Sequence, residues 1–337
     1  VFTCSTAAFA AQDAWLAPLV AFPTTALVIW IASRLAAMFP GETFAEYAPK
    51  VLGRVPGKVA TFLLFWYFFH LSAAISREFG DFIVATTLPR TPVSLILGIA
   101  AAVTALAARS GPEILGRIGE LFTPIAVVMI VIVIAMAYSH LDFTMLQPVL
   151  EHGIGQVLIS GFLTQAFLGQ FVLLVVLLPS VKQLQDGIKA SYIALGFMCV
   201  ALSLISAVAI ASFGPITPRF TWPFFKVARM ASIGPVLARI DPLVIGFWIG
   251  GTCLKYAVHL YAAVLCFAQG VGLTNWRALS LPMSALITAY AIGHFDNFVE
   301  HIYMLNYFWP PYTQLFQLLI PAFVLLVARL RRPGVVS

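Results

Sequence analysis

The stretch ISGFLTQAFLGQFVLLVVLLPSV, Ile159 to Val181, has the length and apolarity of a membrane span but is interrupted at its middle. Gln165, Gly169 and Gln170 separate an apolar first half from the dense run Phe171 to Leu178. Uncharged polar groups and a glycine at mid-bilayer depth predict a helix that opens locally. Two readings fit this pattern. Freed backbone groups are tolerated in lipid only where they line a cavity, so broken helices carry the binding sites of secondary transporters. Alternatively, the glycine lets two helices approach closely and the glutamines bond across the contact. The choice depends on where this span falls in the chain.

The 337-residue chain is 61% hydrophobic and 9% charged, with a mean hydropathy of +0.97. Soluble domains carry about 25% charged residues, so this is an integral membrane protein. Its apolar runs are continuous rather than alternating, which predicts helices and not a β-barrel. At about 20 residues per crossing the length leaves room for about ten spans, in a single transmembrane domain over residues 1–337. The net charge of +6 is not gathered into a basic face interleaved with aromatics, which excludes a nucleic-acid interface. Cys4, Cys199, Cys253 and Cys266 lie in apolar runs without CxxC spacing or histidine partners, so neither a disulfide nor a metal site is expected. Nucleotide-binding glycine loops, HExxH and GxSxG are absent from the sequence, so an enzyme and a bound cofactor are not expected. Val1 already lies in an apolar segment with no basic region before it, and the start of the first span is expected to be truncated.

Apolar runs and their Pro/Gly breaks place spans at about 1–10, 14–38, 59–88, 93–108, 121–138, 159–181, 190–213, 241–268, 279–292 and 312–329. Between the seventh and eighth lies a proline-bearing segment, 214–239. Its middle, Pro223 to Ser232, is expected to lie at the interface with Trp222 and Phe225 towards lipid. Basic residues fix the orientation. One set of loops holds Arg34, Lys50, Arg54, Lys58, Arg109, Arg117, Lys182, Lys189, Arg277, Arg329, Arg331 and Arg332, whereas 138–156 and 294–311 hold neither Lys nor Arg. The first set is therefore cytoplasmic, with Arg219, Lys226, Arg229 and Arg239 as the exception in a longer segment. Ten spans divide into halves of five, about 1–138 and 157–330, and an odd number makes the halves inverted. In such inverted repeats the first helix of each half is the broken one, which favours the binding-site reading of Gln165, Gly169 and Gln170.

Lys255 sits near the centre of the eighth span, about 20 Å of helix from either end. A cation there costs at least about 2.5–3.5 kcal/mol, so something must solvate or pair it. Thr252 and His259 share its helix face and Tyr256 is beside it, which makes Thr252, Lys255 and Tyr256 ligand-binding candidates, or Lys255 a structural ammonium. In the third span Arg77, Glu78 and Asp81 lie in the outer third, with Arg77 and Asp81 spaced to pair and His70 on the same side. His70 is a further ligand-binding candidate, while the charged trio is assigned a structural or coupling role. Arg117 and Glu120 are spaced as an inner-side pair. Asp241 opens the eighth span, where a carboxylate suits the positive helix end. Gln314 and Gln317 in the tenth span share a face that could line the central cavity.

An ordered series of short motifs runs through nearly the whole chain. It comprises Gln12-Asp13-Ala14-Trp15, Phe39-Pro40-Gly41-Glu42-Thr43 with Glu46-Tyr47, Leu52-Gly53, Gly57-Lys58, Arg77-Glu78 with Asp81-Phe82-Ile83, Leu88-Pro89, Thr91-Pro92, Gly111 with Glu113, Gly116-Arg117, Trp222-Pro223, Ala238-Arg239-Ile240-Asp241 and Lys255. In these motifs the chain resembles the B subunit of spore germination receptors, the endospore germination permeases of the amino acid–polyamine–organocation superfamily. The resemblance implies a ten-helix inverted-repeat transporter fold in the inner membrane of a bacterial endospore. It implies recognition of a small-molecule germinant, often an amino acid, and partnership with an A subunit and a lipoprotein C subunit. It marks Arg77, Glu78, Arg117, Asp241 and Lys255 as family signature positions. A proton-coupled amino-acid transporter of the same fold is the alternative.

Overall fold

A computed structural model of the chain describes residues 2–230, 241–294 and 298–331. Among these residues the protein is all-helical, with no strand. Helix α1, Phe2–Ala10, and α2, Ala17–Met38, are joined by a 3₁₀ segment, Ala11–Leu16, whose first residue Ala11 takes a positive φ of 47°. A short helix α3, Phe44–Leu52, follows, opened by a capping box in which Thr43 N–H donates to Glu46 Oε2 at 2.7 Å. Its neighbour α4, Arg54–Thr86, runs back against it so closely that a side chain on Gly57 would collide with the Pro49 backbone. Helices α5, Val93–Arg109, and α6, Pro112–Ala137, complete the first half.

The second half begins with α7, Ile154–Leu168, which stops where the sequence predicts an interruption. A tight 3₁₀ turn, Gly169–Leu173, leads into the single turn α8, Leu174–Leu177. Then come α9, Leu184–Phe213, α10, Pro223–Met230, α11, Asp241–Val271, and α12, Ser280–His294. The last segment holds α13, Phe298–Tyr303, α14, Trp309–Gln314, and α15, Ile320–Arg331. These three are separated by two π-helical stretches, Met304–Phe308 and Leu315–Leu319. Each π stretch ends two residues before a proline, Pro310 or Pro321. Proline lacks the N–H that would bond the carbonyl four residues back, so the helix widens to re-satisfy its carbonyls.

Seven helical segments among the described residues are long and apolar enough to cross a membrane: Phe2–Met38, Arg54–Thr86, Pro112–His140, Ile154–Ser180, Leu184–Arg219, Pro242–Val271 and Phe298–Arg331. The first of these holds both the first and second expected spans. The fourth and ninth expected spans are α5 and α12, of 17 and 15 residues, shorter than the other crossings. Helices α4 and α11 form the packed centre, with Leu64, Tyr67, Phe68, Ala257 and Leu260 fully buried. A second cluster joins α2 to α7 and α9. On α5 the exposed residues Leu95, Ile99, Val103 and Leu106 form one apolar stripe, a face that only lipid solvates well.

The two ends of the bundle are closed by different polar contacts. At one end Arg34 and Arg329 flank the Trp30 ring at 5.7 and 5.0 Å, and Arg331 donates to the Val51 carbonyl. At the other, the buried Asp13 accepts the Leu150 N–H on both carboxylate oxygens at 3.0 Å, and Gln12 bonds Glu151. One expectation is corrected here. Trp222 and Phe225 do not face lipid: their rings lie 5.1 and 5.2 Å from that of Phe82, so α10 turns its aromatic face to the bundle and exposes Lys226 and Arg229. An apolar face on so short a helix gains more by packing against α4 than by lying free at the interface.

Candidate functional site

The break after Leu168 is the centre of a buried amide cluster. Gln165 from α7 is 2% exposed and Gln317 from the second π stretch is fully buried. The Gln317 Nε2 donates to the Tyr67 hydroxyl at 2.8 Å and to the Ala166 carbonyl at 2.9 Å. Gln314 Nε2 donates to Gln165 Oε1. One donor and one acceptor remain over: Gln165 Nε2 and Gln317 Oε1 are buried without a hydrogen-bond partner among the described residues. Both occupy the space that a Cβ on Gly169 would need. Gly169 itself has φ −62°, which any residue adopts, so glycine is required here for room and not for conformation. A 3₁₀ turn on one span thus faces a π stretch on another, with two unpaired amide groups between them. Irregular turns of this kind inside helices concentrate at functional sites.

Gln170 belongs elsewhere. Five residues rotate a side chain by about 140° around a helix, and Gln170 lines a separate cleft of about 240 Å³ together with Met198 and His259. The sequence groups Gln165, Gly169 and Gln170 as one wall; the structure keeps the first two and turns the third away.

Lys255 and its neighbours form another cluster between α4 and α11. Lys255 and Glu78 are both half-buried, and the Glu78 carboxylate acts electrostatically on the Lys255 ammonium without forming an ion pair within 4.0 Å. Glu78 stands eleven residues, or about 16 Å of helix, beyond Tyr67 on α4, so the lysine and the amide cluster are distinct sites on one helix pair. Below Lys255 a ring nitrogen of His259 bonds the Lys255 carbonyl at 2.7 Å. Tyr256 points the other way, its hydroxyl 3.3 Å from Ser284, which in turn donates to the Ala101 carbonyl at 2.9 Å. Thr252 is half-buried one turn before Lys255.

The remaining candidates divide between pairing and pocket. Arg77 pairs with Asp81 as spaced, Nε to Oδ1 at 3.0 Å, with Asp81 also 3.7 Å from the buried His301. His70 bonds the Tyr312 hydroxyl through Nδ1 at 3.1 Å and lines an aromatic cavity. Arg117 does not pair with Glu120. It pairs with Glu113 at 2.8 Å, because i to i−4 brings the side chains over one another more directly, and both are exposed. Asp241 begins α11, and the segment before it, with Arg239, lies outside the described residues. Among the described residues no cluster of His, Cys, Asp and Glu is fit to hold a metal ion.

Sequence reasoning foresaw Gln165, Gly169, Gln314 and Gln317 separately but not Tyr67, which reads as one more aromatic in the run Phe65 to Phe69. In comparisons with known proteins, residues 1–299 match the profile of a family described as spore germination protein. Spore germination protein KB of Bacillus subtilis (strain 168) is 27% identical over 325 residues, covering 95% of this chain and 87% of its own length. The putative spore germination protein YfkT of the same organism is 25% identical over 322 residues, covering 95% and 88%. Spore germination protein XB of Bacillus anthracis is 25% identical over 177 residues, covering 52% and 49%.

Proposed function

This chain belongs to the spore germination protein family, and from that premise we propose that it is the germinant-sensing membrane subunit of a germination receptor, binding a small molecule such as an amino acid at the helix break. One observation carries this reading: an unpaired amide N–H on Gln165 and an unpaired amide C=O on Gln317 lie side by side against Gly169. A free amino acid offers a carboxylate to the first and an ammonium to the second. Hydrogen bonds to charged groups contribute about 1.5–3 kcal/mol each, against the cost of leaving both amide groups buried and unpaired. Binding would draw the 3₁₀ turn and the π stretch into one of two arrangements, by no more than the ligand's differential affinity for them. The change would pass to an A subunit and a lipoprotein C subunit in the inner membrane of the endospore.

The proposed architecture is the ten-span inverted repeat. Dividing Phe2–Met38 at Ala11 and counting α5 and α12 as crossings gives that number from the observed helices, with the break at Gly169 in the first span of the second half.

The test is germination of spores carrying Gln165→Met or Gln317→Met, each close to glutamine in volume. The half-maximal amino-acid concentration should rise about 10- to 100-fold, as the loss of one such bond requires. Unchanged dose–response curves at normal membrane abundance would refute the site. The alternative, a proton-coupled amino-acid transporter, is favoured by the half-buried Lys255 near the middle of α11, within electrostatic reach of Glu78 on α4. It demands uptake of labelled amino acid into proteoliposomes that is lost on Lys255→Met.

A further inference from the structure

A cleft of about 560 Å³ lies at the end of the bundle where α5 meets α6, and its walls come from three separate segments. Ser110 and Glu113 flank the turn between α5 and α6, and Ser180 and Lys182 lie between α8 and α9. Arg277 stands in a 3₁₀ turn, Trp276–Leu279, that leads into α12. Both cations are exposed, and neither forms an ion pair among the described residues. The Trp276 ring braces Arg277, with the guanidinium carbon 4.8 Å from the ring centre. Among the described residues Glu113 is the one carboxylate in the lining, and Arg117 already answers its charge at 2.8 Å. The cleft therefore presents two uncompensated positive charges.

We propose that this cleft is a binding site for a phosphate monoester. A guanidinium offers a fork of N–H donors that matches phosphate oxygens, and an ammonium adds a compact point charge. The Ser180 hydroxyl supplies a neutral donor beside them. A phosphate monoester carries a charge of about −1.5 to −2 at pH 7, which answers both cations, whereas a carboxylate answers one. The volume lies within the range of small-molecule pockets, about 300–1,000 Å³. Occupancy has a structural consequence. Helix α5 packs on α4, α11 and α12, whereas α7, α8 and α9 pack on α2. Ser110 and Arg277 belong to the first set and Lys182 to the second, so a phosphate between them ties together two packing groups that otherwise turn like charges towards one cleft. The phosphate belongs either to a soluble ester or to a lipid headgroup, since Leu177 and Val181 give the cleft an apolar edge. The site is independent of the germinant reading: its walls include neither Gln165 nor Gln317.

The experiment uses the purified full chain in an uncharged detergent, titrated with sodium glycerol 3-phosphate at constant ionic strength and followed by calorimetry and thermal shift. Sodium acetate and glycerol serve as controls. Saturable binding of the phosphate is expected, weakened about tenfold or more by Lys182→Gln and by Arg277→Gln, as the loss of a charge-assisted hydrogen bond requires. Lys226→Gln, which removes an exposed cation outside the cleft, should leave it unchanged. All three side chains are exposed, so the variants should melt with the parent when no ligand is present. Absence of binding, equal binding of acetate, or binding unaffected by both cleft substitutions would overturn the proposal. So would an equal loss on Lys226→Gln, which would reduce the effect to net charge. Native mass spectrometry from phosphatidylcholine nanodiscs containing phosphatidic acid separates the sources. One phosphatidic acid retained by the parent and lost from the Lys182→Gln, Arg277→Gln double variant identifies the lipid headgroup, and equal retention by both identifies a soluble ester.

Discussion

Replacing Gly169 by alanine tests the amide cluster directly. A Cβ there would take the space of Gln317 Oε1 and Gln165 Nε2. Gln165 Nε2 has no partner to lose among the described residues, so its displacement puts at risk only the bond that Gln165 Oε1 accepts from Gln314. Gln317 is different, because its Nε2 is held by the Tyr67 hydroxyl and the Ala166 carbonyl. Moving it breaks both bonds, worth about 0.5–1.5 kcal/mol each, or about 1–3 kcal/mol together. Alanine in place of glycine in a helical segment returns up to about 1 kcal/mol. The net effect of Gly169→Ala is therefore about 0–3 kcal/mol destabilising, a fall of up to several degrees in the apparent melting temperature of a chain this size. The informative measurement is a double-mutant cycle with Gln317→Ala, read by thermal unfolding in detergent. With the Gln317 side chain gone the tighter of the two obstructions is gone and only Gln165 Nε2 must move, so Gly169→Ala should become close to neutral, a coupling of about 1–3 kcal/mol. An equal loss in both backgrounds would show that Gln317 does not pack on Gly169, and the amide cluster as described would be wrong.

Three further outcomes follow from the same geometry. Glu78→Gln removes a carboxylate that acts on the half-buried Lys255 without forming an ion pair within 4.0 Å, and should cost no more than about 1 kcal/mol in unfolding measurements, a loss that adding Lys255→Met should largely recover. Tyr67→Phe removes one acceptor from Gln317 and should cost about 1 kcal/mol; a variant as stable as the parent would mean that the 2.8 Å bond contributes nothing. In the loop after α6, the Thr144 N–H and hydroxyl donate to Asp142 at 2.9 and 2.6 Å and hold its carboxyl below the usual carboxylate range. A carboxylate so lowered contributes stability above its unfolded value, which is lost as pH falls through the folded one. Hydrogen exchange at the Thr144 amide should therefore be steady above about pH 4 once intrinsic rates are divided out, and lose protection below it. Asp142→Asn should abolish that dependence.

The sequence by itself determined the membrane class, the helical content, the place of the break and the pairing of Arg77 with Asp81. Each of these is a local property: apolar run length, a glycine among glutamines, a four-residue spacing. Even Gln314 and Gln317 could be singled out, because amides are costly in lipid wherever they fall. Only the tertiary structure decided which of them meet. Gln165 and Gln170 are neighbours in the chain, yet helix rotation sends one to the amide cluster and the other to the cleft at His259. Glu78 and Lys255 lie 177 residues apart and come within electrostatic reach only because α4 and α11 pack together. Helix periodicity places Trp222 and Phe225 on one face, but it does not say whether lipid or Phe82 receives that face. Nor does it place the rings of Trp66, Tyr290 and Phe308, each an ordinary aromatic on its own span, around one cavity. Apolar patterning tells a chain in a membrane which segments to bury in lipid. Which faces then meet is settled by shape and by the pairing of buried polar groups across spans, and those depend on residues far apart in sequence.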